Sequence, residues 1–115
     1  MIIIAGKVDL NPEKREAALT AGCPHMEATR AQKGCLDYVW SADLLVPGRV
    51  YVYERWHSQE DLAAHLAGPH YRAMLQTIAS HEICGMDVDK FKISLEEPVY
   101  DPQGRARADF FTEDA

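Results

Sequence analysis

His65 and His70 stand five residues apart, with the helix-breaking pair Gly68-Pro69 between them. An imidazole beside a cavity can take a proton from a phenol at neutral pH, because its unperturbed pKa lies near ~6.5. These two histidines are therefore the candidate catalytic residues, the competing role being to tie down the helix break by hydrogen bonds. Their spacing across a proline is not the i, i+4 spacing of a helical zinc pair, and no third ligand is placed by the sequence. His25, His57 and His81 read as surface or helix-edge residues.

A planar substrate would need aromatic walls, and the candidates are Tyr38, Trp40, Tyr51, Trp56 and Tyr71, with Tyr53 completing the aromatic supply. At strand spacing the same residues serve equally as core or dimer-interface packing. Glu54 falls between Val52 and Trp56, an unusual place for a carboxylate. It either pairs with an arginine, Arg55 or Arg72, or carries a raised pKa and an acid–base role; the ion pair is the expectation.

The elements that must hold these residues follow from periodicity and punctuation. Ile2–Val8 reads as a strand covered on both faces. Asn11-Pro12-Glu13 opens a helix that runs to about Gln32, with a kink at Pro24 and a stop at Gly34. Cys35–Ala42 is a strand with Leu36, Tyr38 and Trp40 on one face, Cys35 and Val39 on the other. After a turn at Pro47-Gly48, Arg49–His57 is a third strand. It sets Val50, Val52, Glu54 and Trp56 on one face, and Tyr51, Tyr53, Arg55 and His57 on the opposite one. Ser58 caps the next helix, Pro69 begins a further segment, and Asp87–Leu95 is a fourth strand whose Lys90 and Lys92 form its wet face. Residues 1–95 thus make one β-α-β-β-α-β, ferredoxin-like α+β domain, and residues 96–115 an arm or partly disordered tail.

Two helical units cover only one face of a four-stranded sheet, yet three strands carry apolar or aromatic residues on both. A second copy is the simplest cover, so a homodimer is expected.

Composition narrows the function classes. The 115 residues suffice for one domain, and 47% hydrophobic with 26% charged residues is ordinary for a globular protein. A net charge of −6 without a basic stripe argues against nucleic acid and against an anionic membrane surface. Cys23, Cys35 and Cys84 are odd in number and form no Cys-x-x-Cys pair, which reads as thiols in a reducing compartment. The apolar start is cut short by Lys7 and Asp9, so no signal or spanning segment is read, and a cytoplasmic protein is expected. No Gly-x-Gly-x-x-Gly run is present, and no flavin, haem or metal cofactor is expected.

Four stretches in this order resemble a known family. They are Gly34-Cys35-Leu36-Asp37-Tyr38, Asp43 with Pro47, Glu54-Arg55-Trp56-His57-Ser58, and Ala64-His65-Leu66-Ala67-Gly68-Pro69-His70-Tyr71. Over about residues 2–95 the chain resembles antibiotic-biosynthesis-monooxygenase domains, of the quinol-monooxygenase kind. The resemblance implies a dimeric α+β barrel with a pocket in each subunit between sheet and helices. It also implies oxidation of a small phenol or quinol by O₂ without metal or flavin. Other branches degrade haem or isomerise a small phosphorylated sugar-like compound, and some members have no established activity. The haem branch resembles this chain poorly, because its asparagine has no counterpart beyond Asn11 and His65 stands where its helical tryptophan would. The isomerase branch shares the His-x₄-His-Tyr stretch and would want Arg55 or Arg72 as a phosphate clamp. A non-catalytic dimer that binds a small hydrophobic ligand is the third alternative.

Overall fold

The computed structural model describes residues 1–113. Its elements are β1 (Ile2–Leu10), α1 (Arg15–Arg30), β2 (Cys35–Ala42), β3 (Arg49–Trp56), α2 (Gln59–Leu66), α3 (Pro69–Ala79) and β4 (Ile83–Lys92). The strands form one antiparallel sheet in the order β2-β3-β1-β4, the ferredoxin-like α+β arrangement, with the second helical unit split in two.

Strand alternation sends Val8, Leu10, Val50, Val52 and Trp56 to one face of the sheet, where all are buried. Ala18 of α1 and Met74 and Ile78 of α3 close over the first four. Leu62 of α2 packs with Trp56 and Tyr38 in a second cluster. The opposite face carries Tyr51, Tyr53 and Phe91, which keep 46%, 40% and 48% of their surface exposed, enough to leave an unpartnered aromatic face.

The local signals act where their chemistry predicts. The Ser58 hydroxyl accepts from the Asp61 N–H at 3.1 Å and starts α2. Gly68-Pro69 ends α2 and starts α3, the proline sitting where a helix needs no donor.

Three expectations change. Asn11 does not cap α1. Its side chain accepts from the Glu13 N–H at 3.0 Å and its carbonyl from the Lys14 N–H at 2.9 Å, which makes a separate turn, and the helix begins at Arg15. Arg15 then turns to the β2–β3 hairpin, donating to the carbonyls of Asp43, Val46 and Arg49 at 2.8, 3.1 and 3.2 Å. In β2 the pairing is irregular between Cys35 and Asp37, so Leu36 is the extra residue of a bulge. Cys35 therefore joins Tyr38 and Trp56 in the core while Leu36 is exposed. The fourth strand starts at Ile83 and ends at Lys92, leaving Ile93 and Leu95 outside it.

Gly6 lies between Val52 and Val88 in the sheet. A Cβ there would collide with the backbone oxygen of Asp87 and fall 2.5 Å from the Cα of Val88, so β1 and β4 cross too closely for any side chain. Beyond β4, Tyr100 bridges Ala106. The Asp101 carboxylate accepts from the N–H groups of Gln103 and Arg105, at 3.0 and 2.9 Å, and from the Arg107 guanidinium at 3.3 Å.

Candidate functional site

Between the helix-side face of the sheet and helices α2 and α3 lies a cavity of about 470 Å³. Its floor is Ile4, Val8, Val52 and Val88; Tyr38, Trp40 and Glu54 form one wall; Leu66, Tyr71, Met74 and Leu75 supply the helical side. Met86, Asp89 and Lys90 of β4 close the far edge, Asp89 standing in the register row of Ala5 and Tyr53, which belongs to the opposite sheet face. The lining is apolar and aromatic with few polar atoms, the usual character of a small-molecule site.

Register explains how the polar groups reach it. Tyr38 pairs with Glu54, Glu54 with Ile4, and Ile4 with Lys90, so one row crosses all four strands on the cavity face. Lys90 was expected on a wet strand face. Its pairing with Ile4 turns it to the cavity side.

Glu54 is only 7% exposed, and its Oε1 accepts the indole N–H of Trp56 at 2.9 Å. Burial pushes its carboxyl above the usual range, and the Trp56 hydrogen bond opposes this less strongly. The expected ion pair does not form. Arg55, on the other sheet face, pairs with Asp37 at 2.5 Å and Glu96 at 3.4 Å, and Arg72 donates to the Ala67 carbonyl at 3.3 Å. Among the described residues no cation comes within ion-pairing distance of Glu54.

The Tyr38 hydroxyl accepts from the Trp40 indole N–H at 2.9 Å, and its own hydrogen remains to donate. Burial, with a further push from Glu54, raises the phenol pKa, so Tyr38 stays protonated.

His65 lies one layer behind this wall. It is 2% exposed, its Nδ1 is 2.7 Å from Gln32 Oε1, and its ring stacks on Trp56. Tyr38 and Tyr71, both cavity residues, meet it edge-on with centroids 5.8 and 5.7 Å away. Burial and the neighbouring His70 lower its pKa to about 4, so the imidazole is neutral at physiological pH. With Gln32 accepting through oxygen, Nδ1 carries the proton and Nε2 is the basic nitrogen.

Of the expected site residues, Tyr38, Trp40 and Tyr71 line the cavity. Trp56 is buried behind Glu54, Tyr51 lies on the opposite sheet face, and His70, at the start of α3, is half-buried. Neither His65 nor His70 is among the lining residues. The helical lining residues Met74 and Leu75 carry no chemical signal in the sequence, because apolar residues at helical spacing look like ordinary core. Among the described residues no three His, Cys, Asp or Glu side chains are close enough to hold a metal, and no helix is long and apolar enough to cross a membrane.

The family model described as antibiotic biosynthesis monooxygenase matches residues 1–77. Among curated proteins, an uncharacterized protein of Synechocystis sp. is 23% identical over 75 residues, 65% of this chain and 51% of that protein. The chain thus matches about half the length of that relative. A crystal structure of a candidate antibiotic biosynthesis monooxygenase from Deinococcus radiodurans superposes with a TM-score of 0.76 at 22% identity, covering 85% of this chain and 97% of that one. A second candidate of that name, from Nitrosomonas europaea, gives 0.73 at 20% identity over 83% of this chain and all of that one. A conserved protein from Methanosarcina mazei gives 0.72 at 20% identity over 79% and 90% of the two chains. At these identities the structural likeness establishes the fold.

Proposed function

The chain belongs to the antibiotic biosynthesis monooxygenase family, and from that membership we propose that its cavity oxidises a small aromatic phenol or quinol with O₂. In such a step a hydroquinone ring and O₂ give a hydroxyquinone and water. One oxygen atom enters the ring at a C–H, the other leaves as water, and the ring supplies the four electrons. No resident flavin, haem or metal is part of this proposal.

The observation that carries it is the lining of the cavity. A flat apolar ring fits between Tyr38, Trp40 and Tyr71 above a floor of Ile4, Val52 and Val88, with Glu54 as the buried polar group. A phosphorylated sugar would need a clamp of several cationic donors, whereas Arg55 and Arg72 are engaged elsewhere, Lys90 at the cavity edge supplies a single ammonium, and Glu54 would repel a phosphate. His65, neutral and stacked behind the wall, serves as a positioning residue for Trp56 and Tyr71. A second copy covers the face of Tyr51, Tyr53 and Phe91, burying more than the ~1,000 Å² of a stable contact.

The experiment is incubation of metal-free protein with hydroquinones and phosphosugars, with and without air. Oxygen uptake matched to quinone product supports the proposal. Oxygen-independent isomerisation of a phosphosugar overturns it, and binding without turnover of any compound reduces the protein to a ligand-binding dimer.

A further inference from the structure

Glu54 and Lys90 are opposite charges on the same face of the sheet, each a row neighbour of Ile4, one on β3 and the other on β4. Two strand spacings of ~4.8 Å put their backbones about 10 Å apart. Both side chains line the cavity, yet among the described residues neither forms an ion pair, with the other or with any third group. A carboxyl buried without a cation costs stability, and such sites are where proton chemistry is concentrated. Among the described residues a single hydrogen bond fixes the carboxyl: the Trp56 indole that donates to Oε1 is itself fully buried and stacked on His65. Oε2 is left for a ligand.

We propose that Glu54 accepts the proton of the ring hydroxyl and that Lys90 receives the oxygen on the far side of the same ring. This deepens the oxygenase reading and rests on it. The substrate O–H bond breaks, the proton moves to the Glu54 carboxylate, and the electron pair stays on the ring as a phenolate. That charge spreads onto the ring carbons ortho and para to the ionised oxygen. Once an electron has passed to O₂, the far hydroxyl gives its proton to the reduced oxygen, and the negative charge then shared by the two ring oxygens is stabilised at the far one by the Lys90 ammonium, exposed at the cavity edge. Burial, by raising the affinity of Glu54 for a proton, makes its ionised form a stronger base than an exposed carboxylate. Rings with oxygens on both sides are then preferred over rings with one.

Glu54→Gln separates this role from a structural one, because the amide oxygen still accepts from Trp56. Lys90→Met keeps the stem and removes the charge. Both variants and the parent are assayed for O₂ uptake across pH with a hydroquinone and with its monomethyl ether, and for anaerobic binding of each ring by tryptophan fluorescence. Glu54→Gln should lower turnover by about 100-fold or more and abolish the ascending limb of the pH profile, with anaerobic binding changed less than about threefold. Lys90→Met should raise KM about tenfold for the hydroquinone and leave the ether unchanged. An active parent whose Glu54→Gln variant keeps both rate and ascending limb overturns the assignment of Glu54. Equal losses on both rings overturn that of Lys90. A parent that consumes no O₂ with any ring overturns the oxygenase reading itself, and this assignment with it.

Discussion

The imidazole of His65 stacks on the indole of Trp56, with ring centroids 4.6 Å apart and planes 30° from parallel. A charged imidazolium at this place would lie in a dry setting beside apolar rings, and the pKa accordingly falls from 6.5 to about 4. In the unfolded chain the same ring protonates near ~6.5. Between these values the unfolded state binds more protons, so stability rises with pH; it is complete above about 6.5 and is lost as pH falls toward 4. The full effect is of the order of 3 kcal/mol. Urea midpoints from pH 4 to 8 should show this slope in the parent protein and a shallower one in His65→Phe. Parallel curves for the two proteins would refute it.

Arg15 makes a different kind of link, from the first turn of α1 to three carbonyls of the β2–β3 hairpin. Arg15→Met keeps the aliphatic stem and strips those donors. A loss of about 2 kcal/mol is expected, the scale of charged hydrogen bonds, together with faster proteolysis between Asp43 and Gly48. Unchanged stability and cleavage would show that the hairpin holds itself.

Gly6→Ala forces a methyl group into the backbone of β4. Overpacking of this kind costs about 1–3 kcal/mol, read as a shift in denaturation midpoint. Because Gly6 adjoins the cavity floor, ring binding should weaken as well. A variant as stable as its parent would mean that the two strands part freely.

The aromatic face predicts the assembly. Light scattering should return twice the 12.9 kDa chain mass, and Tyr53→Lys, placed in the middle of that face beside Ala5 and Val39, should shift the protein toward monomer. A folded parent that stays monomeric at micromolar concentration removes the second copy from the proposed function.

Much of this was legible in the residues. Ser58 as a cap, Gly68-Pro69 as a break and the alternation of β3 are local signals, and the structure follows them. Leu36 shows where such reading stops: a bulge depends on the partner strand, and an unbroken alternation in β2 puts Cys35 on the wrong face. The start of β4 was hidden for a similar reason, since Gly85 weakens its pattern and only pairing with β1 makes it a strand. Glu54 is the instructive case. Strand alternation alone sends its neighbour Arg55 to the opposite face, which removes one of its two expected partners without any knowledge of the fold. What alternation cannot supply is the register across strands, and that register brings Lys90 to the site.

Ile4 sits in the middle of the row from Tyr38 to Lys90, and its two neighbours there are Glu54 and Lys90, 50 and 86 residues away along the chain. Contacts of such separation close slowly, after local hairpins and helices have formed. β1, one of the two inner strands, is synthesised before the other three and is the last of the inner pair to gain both of its partners. A chain still lacking β4 has the acid without the cation and a cavity open along one side. A ligand thus finds a complete site only after the last strand has docked, and its binding adds stability to that finished state alone. Ring binding would therefore report the final folding event in refolding experiments, lagging behind the recovery of helix signal.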